Sequence, residues 1–138
     1  MQIRVQLDEG AYMPEKAHDL DAGFDIRTPV EVSVGYLGSS VIDTGVHIEI
    51  PKGYVGFLKS KSGLNVKYSL CGEGVIDAGY TGSIKVKLYN YSADSYTFEK
   101  GDKIIQLVLL PIPEVELTQV ESLDETERGN GGFGSTGR

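Results

Sequence analysis

An all-β sandwich or jelly-roll is the fold class this sequence predicts, and three observations carry it. Apolar and polar residues alternate in short pieces, turn signals separate those pieces, and no window sustains a helical period for three turns. With 18 glycines in 138 residues, the chain is interrupted too often for long helices.

Taken in order, Ile3, Val5 and Leu7 place apolar side chains at every second position, the period of a half-buried strand, and Asp8-Glu9-Gly10 then turns the chain. Val30, Val32 and Val34 repeat the pattern, as do Val46, Ile48 and Ile50 before the turn Pro51-Lys52-Gly53. Tyr54 to Leu58 forms the next strand, and one short helical stretch is expected near Ser62 to Lys67. Cys71-Gly72-Glu73-Gly74 reads as a turn, and Ile84, Val86 and Leu88 as a further strand. After the turn Lys100-Gly101-Asp102, the run Ile104 to Leu110 is nearly all apolar, which suits a strand buried on both faces.

Composition bounds the rest. At 40% hydrophobic the chain can bury one ordinary core, so a single domain is expected, with residues 1–121 as its body. Residues 122–138 are then an acidic connector, where Asp124, Glu125 and Glu127 continue from Glu121, followed by a glycine-rich tail of the same domain. The longest apolar stretch, Ile104 to Pro113, falls short of a bilayer span, and the N-terminus lacks the basic-then-apolar signature of a secretion signal. A cytoplasmic protein with no membrane partner is expected. Cys71 is the only cysteine, which excludes an internal disulfide, and with only two well-separated histidines a zinc site is disfavoured. The net charge of −7 opposes binding to nucleic acid, so the guest should be small. A multiply charged phosphate would need converging cations and a divalent ion such as Mg²⁺ arriving with it.

The tail RGNGGFGSTGR, Arg128 to Arg138, concentrates what such a guest requires. Glycines let main-chain N–H groups approach an anion, Ser135 and Thr136 add hydroxyl donors, Arg128 adds a planar fork, and Phe133 offers a face to a flat ring. A passive linker has no use for Phe133 among glycines. Gly129 to Gly134 matches G-x-G-x-x-G, but too few residues follow it for the helix that fingerprint needs, and Gly134 stands where a Walker loop would have lysine. A phosphate joined to a base is the guest this composition suits.

Four further segments could handle a nucleotide. Asp21 to Ile26 places Asp25 at the entry to a strand; Lys59 to Leu64 sets two cations and two hydroxyls before a glycine; Gly74 to Gly82 carries Asp77 and Tyr80 on a glycine-bounded hairpin; and Gln106 is the one polar interruption of an apolar strand. Singly, each has a plainer role: Asp25 capping a turn, Gln106 pairing a core main-chain group, Asp77 solvated on its hairpin. None of these segments contains histidine, so a Ser-His-Asp hydrolase is poorly supported.

Together, AGFDI, KSGL, GVIDAGYTG, GDKIIQL and RGNGGFGSTG resemble, in order and over essentially the whole chain, the five motifs of the trimeric dUTP pyrophosphatase (dUTPase) family. The resemblance implies a distorted jelly-roll or β-clip domain in a homotrimer, with the C-terminal tail as a lid on a neighbouring subunit. It implies Mg²⁺-dependent hydrolysis of dUTP to dUMP and pyrophosphate, which supplies dUMP for dTMP synthesis and keeps uracil out of DNA. On the matching positions, Asp77 would orient the attacking water and bond the 3′-hydroxyl, and Tyr80 would pack on the deoxyribose. Main-chain groups around Gly74, Val75 and Ile76 would read uracil. Lys61, Ser62, Gly63 and Gln106 would hold phosphates, Arg128, Ser135 and Thr136 beside Gly134 would meet the γ-phosphate, and Phe133 would cover the base. Asp25 would belong to the network near metal and phosphate without ligating the metal, since Mg²⁺ is expected on the triphosphate oxygens.

The chain departs from the family pattern at Lys61 and Lys103, where arginine is more usual, at Gly79, where an acidic residue is common, and at Asn130, where a small hydroxyl residue is common. Two other functions fit the same resemblance: a dCTP deaminase of this fold, and a nucleotide-gated regulatory protein with a protein partner.

Overall fold

The computed structural model describes residues 1–137, and Arg138 of the tail lies outside them. Eleven strands and one short helix follow in order: β1 Val5–Leu7, β2 Gly23–Arg27, β3 Val32–Val34, β4 Ser39–Asp43, β5 Val46–Ile48, β6 Tyr54–Lys59, α1 Ser62–Tyr68, β7 Leu70–Cys71, β8 Glu73–Ile76, β9 Lys85–Asn90, β10 Tyr96–Phe98 and β11 Lys103–Pro111. The largest sheet has the order β2-β11-β6-β8 and a second β4-β9-β7, while β1 pairs with β5 and β3 with β10. All these ladders are antiparallel.

The alternation read from the sequence is what the sheets use. Along β9, Val86 and Leu88 point inward while Lys85, Lys87 and Tyr89 face out. The core is mainly aliphatic, with Ile26, Val34, Val46, Ile84 and Ile105 wholly buried, and such β-branched side chains pack well on pleated surfaces. α1 occupies the one helical stretch expected, and it ends at Ser69, whose left-handed backbone turns its N–H back to the Asn65 and Leu64 carbonyls.

Several expectations need correction. β11 is buried on both faces only in its first half: Ile104, Ile105 and Leu107 are buried, but Leu110 is exposed. The reason is pairing, because β2 accompanies β11 only as far as Gly23 opposite Val108, beyond which only β6 remains beside it. A register shift between Lys103 and Ile105 explains how the consecutive Ile104 and Ile105 both reach the core. Cys71 to Gly74 is not a turn but the crossing between sheets, with β7 on β9 and β8 on β6. Gly72 makes that crossing possible, since a Cβ there would lie 2.7 Å from the Lys87 carbonyl. Gly74 to Gly82 is not a hairpin either, because β8 and β9 belong to different sheets. Asp25 lies in the middle of β2 rather than at its entry.

After β11 the chain leaves the core. Ile112 N–H still bonds the Gly53 carbonyl at 2.8 Å and Lys52 reaches Glu114 at 3.2 Å, but Val115, Leu117, Val120 and Leu123 are exposed. No helix among the described residues is long and apolar enough to cross a membrane.

Candidate active site

The antiparallel registers of the largest sheet set one polar row: Asp25 on β2 is opposite Gln106 on β11, which is opposite Lys59 on β6. Asp25 is 5% exposed. One carboxylate oxygen accepts from Lys61 Nζ and the other from Lys103 Nζ at 2.7 Å. Burial pushes the Asp25 carboxyl up, but hydrogen bonds and charges from Lys103 and Lys61 together outweigh it and hold the group below its usual range. Asp25 therefore holds two cations at one place, where a phosphate could share them.

Gln106 Nε2 donates to the Ser60 carbonyl at 3.1 Å. Room for its side chain comes from Gly23, where a Cβ would stand 2.5 Å from Gln106 Oε1. Ser62 and Gly63, just beyond, are exposed at the start of α1. Lys61, Ser62, Gly63 and Gln106 are thus gathered with Asp25 near one end of the β6–β8 ladder, and Lys103 and Ser60 join them.

A second cluster forms at the other end. On β8, Gly74 packs over Leu58, Val75 faces solvent, and Ile76 enters the core. The chain then turns at Asp77-Ala78-Gly79-Tyr80, with Tyr80 N–H on the Asp77 carbonyl at 3.2 Å and Gly79 at φ +85°. A positive φ at the third position defines a type II turn, which is why glycine stands at Gly79. Asp77 is exposed beside a cleft lined by Lys52, Tyr54, Val55 and Pro113. Tyr80 lays its ring on Gly82, where a Cβ would lie 2.6 Å from the phenol oxygen, and donates to the Ser83 carbonyl at 3.0 Å.

These clusters do not meet within one chain. Ser62 follows Lys59, which pairs with Glu73 at the start of β8; Asp77 follows Ile76, which pairs with Gly56 further along β6. That stretch alone spans roughly 10 Å at the strand rise of about 3.3 Å per residue. The tail joins neither cluster. Arg128 Nε donates to the Gly131 carbonyl at 2.9 Å, Ser135 N–H bonds the Gly132 carbonyl at 3.1 Å, and Phe133, Gly134, Ser135 and Thr136 are exposed.

Sequence reasoning missed Ser60, Gly23 and Gly82 as shaping residues, and Lys103 as the second cation on Asp25. The two glycines lay inside quoted motifs, but their use, making room for Gln106 and Tyr80, depends on contacts the sequence does not display. Among the described residues no three His, Cys, Asp or Glu side chains are grouped to hold a metal, and both Asp25 oxygens are taken by ammonium groups. Asp25, with both oxygens so occupied, does not fit a direct Mg²⁺ ligand within this chain.

The antiparallel sheets, with Asp25, Lys61, Lys103 and Gln106 gathered in one place and Asp77 and Tyr80 on a turn in another, define an all-β protein of jelly-roll type. Within that class the chain belongs to the dUTPase family, whose model matches residues 9–137. It is 41% identical over 133 residues to the deoxyuridine 5′-triphosphate nucleotidohydrolase of Solanum lycopersicum, covering 96% of this chain and 79% of the relative. It is 37% identical over 135 residues to that of Mus musculus, covering 97% and 83%. The dUTPase of Staphylococcus bacteriophage 80alpha, solved with dUpNHpp, superposes with a TM-score of 0.91 at 37% identity over 99% of both chains. A mutant dUTPase of phage phi11 of S. aureus, described as revealing the coordination of a structural Mg(II) ion, gives 0.84 at 34% identity, covering 91% of this chain and 100% of that one.

Proposed function

We propose that this protein hydrolyses dUTP to dUMP and pyrophosphate in sites shared among three copies of the chain. One observation carries the shared site: the phosphate-side residues around Asp25 and the turn bearing Asp77 stand apart on one chain, and the tail reaches neither. The exposed Val115, Leu117, Val120 and Leu123, apolar residues beyond the last strand, support cover by another copy.

In this reading Lys61, Ser62, Gly63 and Gln106 bind the phosphates, with Asp25 holding Lys61 and Lys103 in place. Main-chain groups of Gly74, Val75 and Ile76 on rigid β8 read uracil, and cytosine, with its donor and acceptor exchanged, would leave buried groups unpaired. Tyr80 covers the face of the sugar where a ribose hydroxyl would stand. Arg128, Gly134, Ser135 and Thr136 close on the γ-phosphate, and Phe133 covers the base. Mg²⁺ is assigned to the triphosphate oxygens, where it would supply charge neutralisation.

The reaction is a displacement at the α-phosphorus. A water oxygen bonds to phosphorus as the bridging P–O bond to the β-phosphate breaks and pyrophosphate leaves with that electron pair. Asp77 aims the water and accepts its proton. The product supplies dUMP for dTMP synthesis and the reaction keeps uracil out of DNA, both in the cytoplasm.

Incubating the protein with Mg²⁺ and each deoxynucleoside triphosphate tests the reading. Monophosphate and pyrophosphate from dUTP alone are expected, with no ammonia from dCTP and a trimer in sedimentation. Ammonia released from dCTP, or dUTP bound without turnover, would overturn it.

A further inference from the structure

His47 on β5 holds its ring between two acceptors. Nδ1 lies 2.7 Å from the Thr81 carbonyl and Nε2 lies 3.2 Å from Asp8 Oδ1. Neither a carbonyl nor a carboxylate can donate, so each ring nitrogen needs its own proton to make its bond. Only the imidazolium satisfies both. In the neutral ring one nitrogen must present a lone pair, either to the Asp8 carboxylate or to Thr81.

Thr81 immediately follows Tyr80. Other attachments fix the two ends of this loop: Tyr80 N–H on the Asp77 carbonyl at 3.2 Å and the Tyr80 hydroxyl on the Ser83 carbonyl at 3.0 Å, then Ser83 Oγ, which donates to Asp43 and accepts the Gly45 N–H at 3.0 Å, and Ile84 N–H on the Val46 carbonyl at 2.8 Å. His47 is the side chain that ties the peptide next to Tyr80 to the β1–β5 ribbon. We propose that His47, braced by Asp8, is a positioning residue that holds the Tyr80 loop, so that discrimination between deoxyribose and ribose depends on the protonation of His47. The inference rests on the sugar-reading role given to Tyr80 above.

The charged groups around the ring are few. Asp8 follows β1, Asp43 ends β4, and Arg4 and Glu49 line a surface cavity together with His47 and Thr81 but are bound to each other at 2.5 and 2.7 Å. Lys85 acts on Asp43 from β9. The Thr81 carbonyl first, and then Asp8, raise the imidazole above its ordinary 6.5 against a lesser opposing effect of burial, with the Asp43 charge adding to the rise. A raised value means that the doubly bonded state is complete below about pH 6.5 and is lost as pH rises through the folded value.

The test is the ratio of kcat/KM for dUTP to that for UTP from about pH 5.5 to about pH 9, with the His47 ring followed by NMR. The chain has only two histidines, so His18→Gln leaves a single ring signal. The ratio is expected to fall by about two- to tenfold, the worth of one net hydrogen bond, as His47 titrates above its ordinary value. His47→Gln should abolish that pH dependence. Asp8→Asn should flatten it in a different way, because an amide N–H can donate to neutral Nε2. Titration of His47 at or below 6.5, or a flat ratio in the unmodified protein while Tyr80→Ala loses discrimination, would overturn the inference alone. If Tyr80→Ala left the ratio unchanged, the sugar-reading role would fall and this inference with it.

Discussion

Ser60 engages both main-chain polar groups of Gly72: its hydroxyl donates to the Gly72 carbonyl at 3.1 Å and accepts the Gly72 N–H at 3.0 Å. Gly72 is buried at the crossing between β7 and β8, and the Ser60 carbonyl in turn receives Gln106. One serine thus ties the proposed phosphate turn to the proposed uracil-reading strand. Ser60→Ala leaves a buried donor and acceptor without partners, so a loss of about 1–3 kcal/mol in urea unfolding and a raised KM for dUTP are expected. An unchanged unfolding midpoint would show that the clamp contributes nothing net.

Asp25 offers a test with a sign. Its folded carboxyl lies below the ordinary 3.8, so its contribution to stability is present above that value and is lost as pH falls through the lower folded one. Asp25→Asn would leave Lys61 and Lys103 converging without a counter-charge. The Lys61 and Lys103 side chains are only partly buried, at 26% and 31% exposure, so the cost at neutral pH should fall below the about 3–5 kcal/mol of a fully buried pair. Urea midpoints measured against pH should show a lower plateau for the variant and a shallower decline below about pH 4.

The sequence displayed β1, β3, β5 and β9 by their alternation and β6 by its mostly apolar run, because a half-buried strand writes its period into its residues. β4, Ser39–Asp43, has its two apolar residues side by side and so shows no period, and β10, Tyr96–Phe98, is a single triplet with no flanking apolar residue to extend its alternation. Cys71 to Gly74 misled because glycine marks both turns and close backbone approach, and here it is the second. The candidate site divides similarly. Asp77 and Tyr80 were legible as chemistry beside glycines, whereas the hold of Asp25 on Lys61 and Lys103 joins three elements distant in sequence and needed the registers of β2 and β11.

Gly82 should act through Tyr80. A methyl group there would stand 2.6 Å from the phenol oxygen and 2.7 Å from the carbon bearing it, so the ring must swing away. Gly82→Ala should cost about 0.5–1.5 kcal/mol, the net worth of the Tyr80–Ser83 hydrogen bond lost as the exposed ring swings into solvent. It should nevertheless lower the preference for dUTP over UTP by about tenfold or more. Parallel kinetics on the two nucleotides separate this outcome from a general loss of activity.

The tail should be dispensable for folding. Among the described residues, its hydrogen bonds from Arg128 onward run within the tail or to Thr126 of the adjoining connector, none to the body of the domain, and Phe133 lies wholly in solvent. Deleting residues 128 to 138 is therefore expected to leave the unfolding midpoint and the sedimentation of the assembly unchanged while turnover nearly disappears. Activity equal to that of the full chain would remove the tail from the mechanism.

Asp77 provides the sharpest chemical test, because its side chain makes no hydrogen bond or ion pair among the described residues. It is exposed, and the turn that carries it is closed by its carbonyl and by the positive φ of Gly79, not by the carboxylate. Asp77→Asn preserves that turn and the size of the side chain while removing the proton acceptor. Nucleotide affinity and the unfolding midpoint should stay close to those of the unmodified protein, and kcat should fall by about 10²–10⁴-fold, the usual worth of a positioned general base. Calorimetric binding of an uncleavable dUTP analogue beside turnover measurements reads both quantities. An active variant would assign the attacking water to another group, and equal loss of binding and turnover would make Asp77 a substrate anchor only.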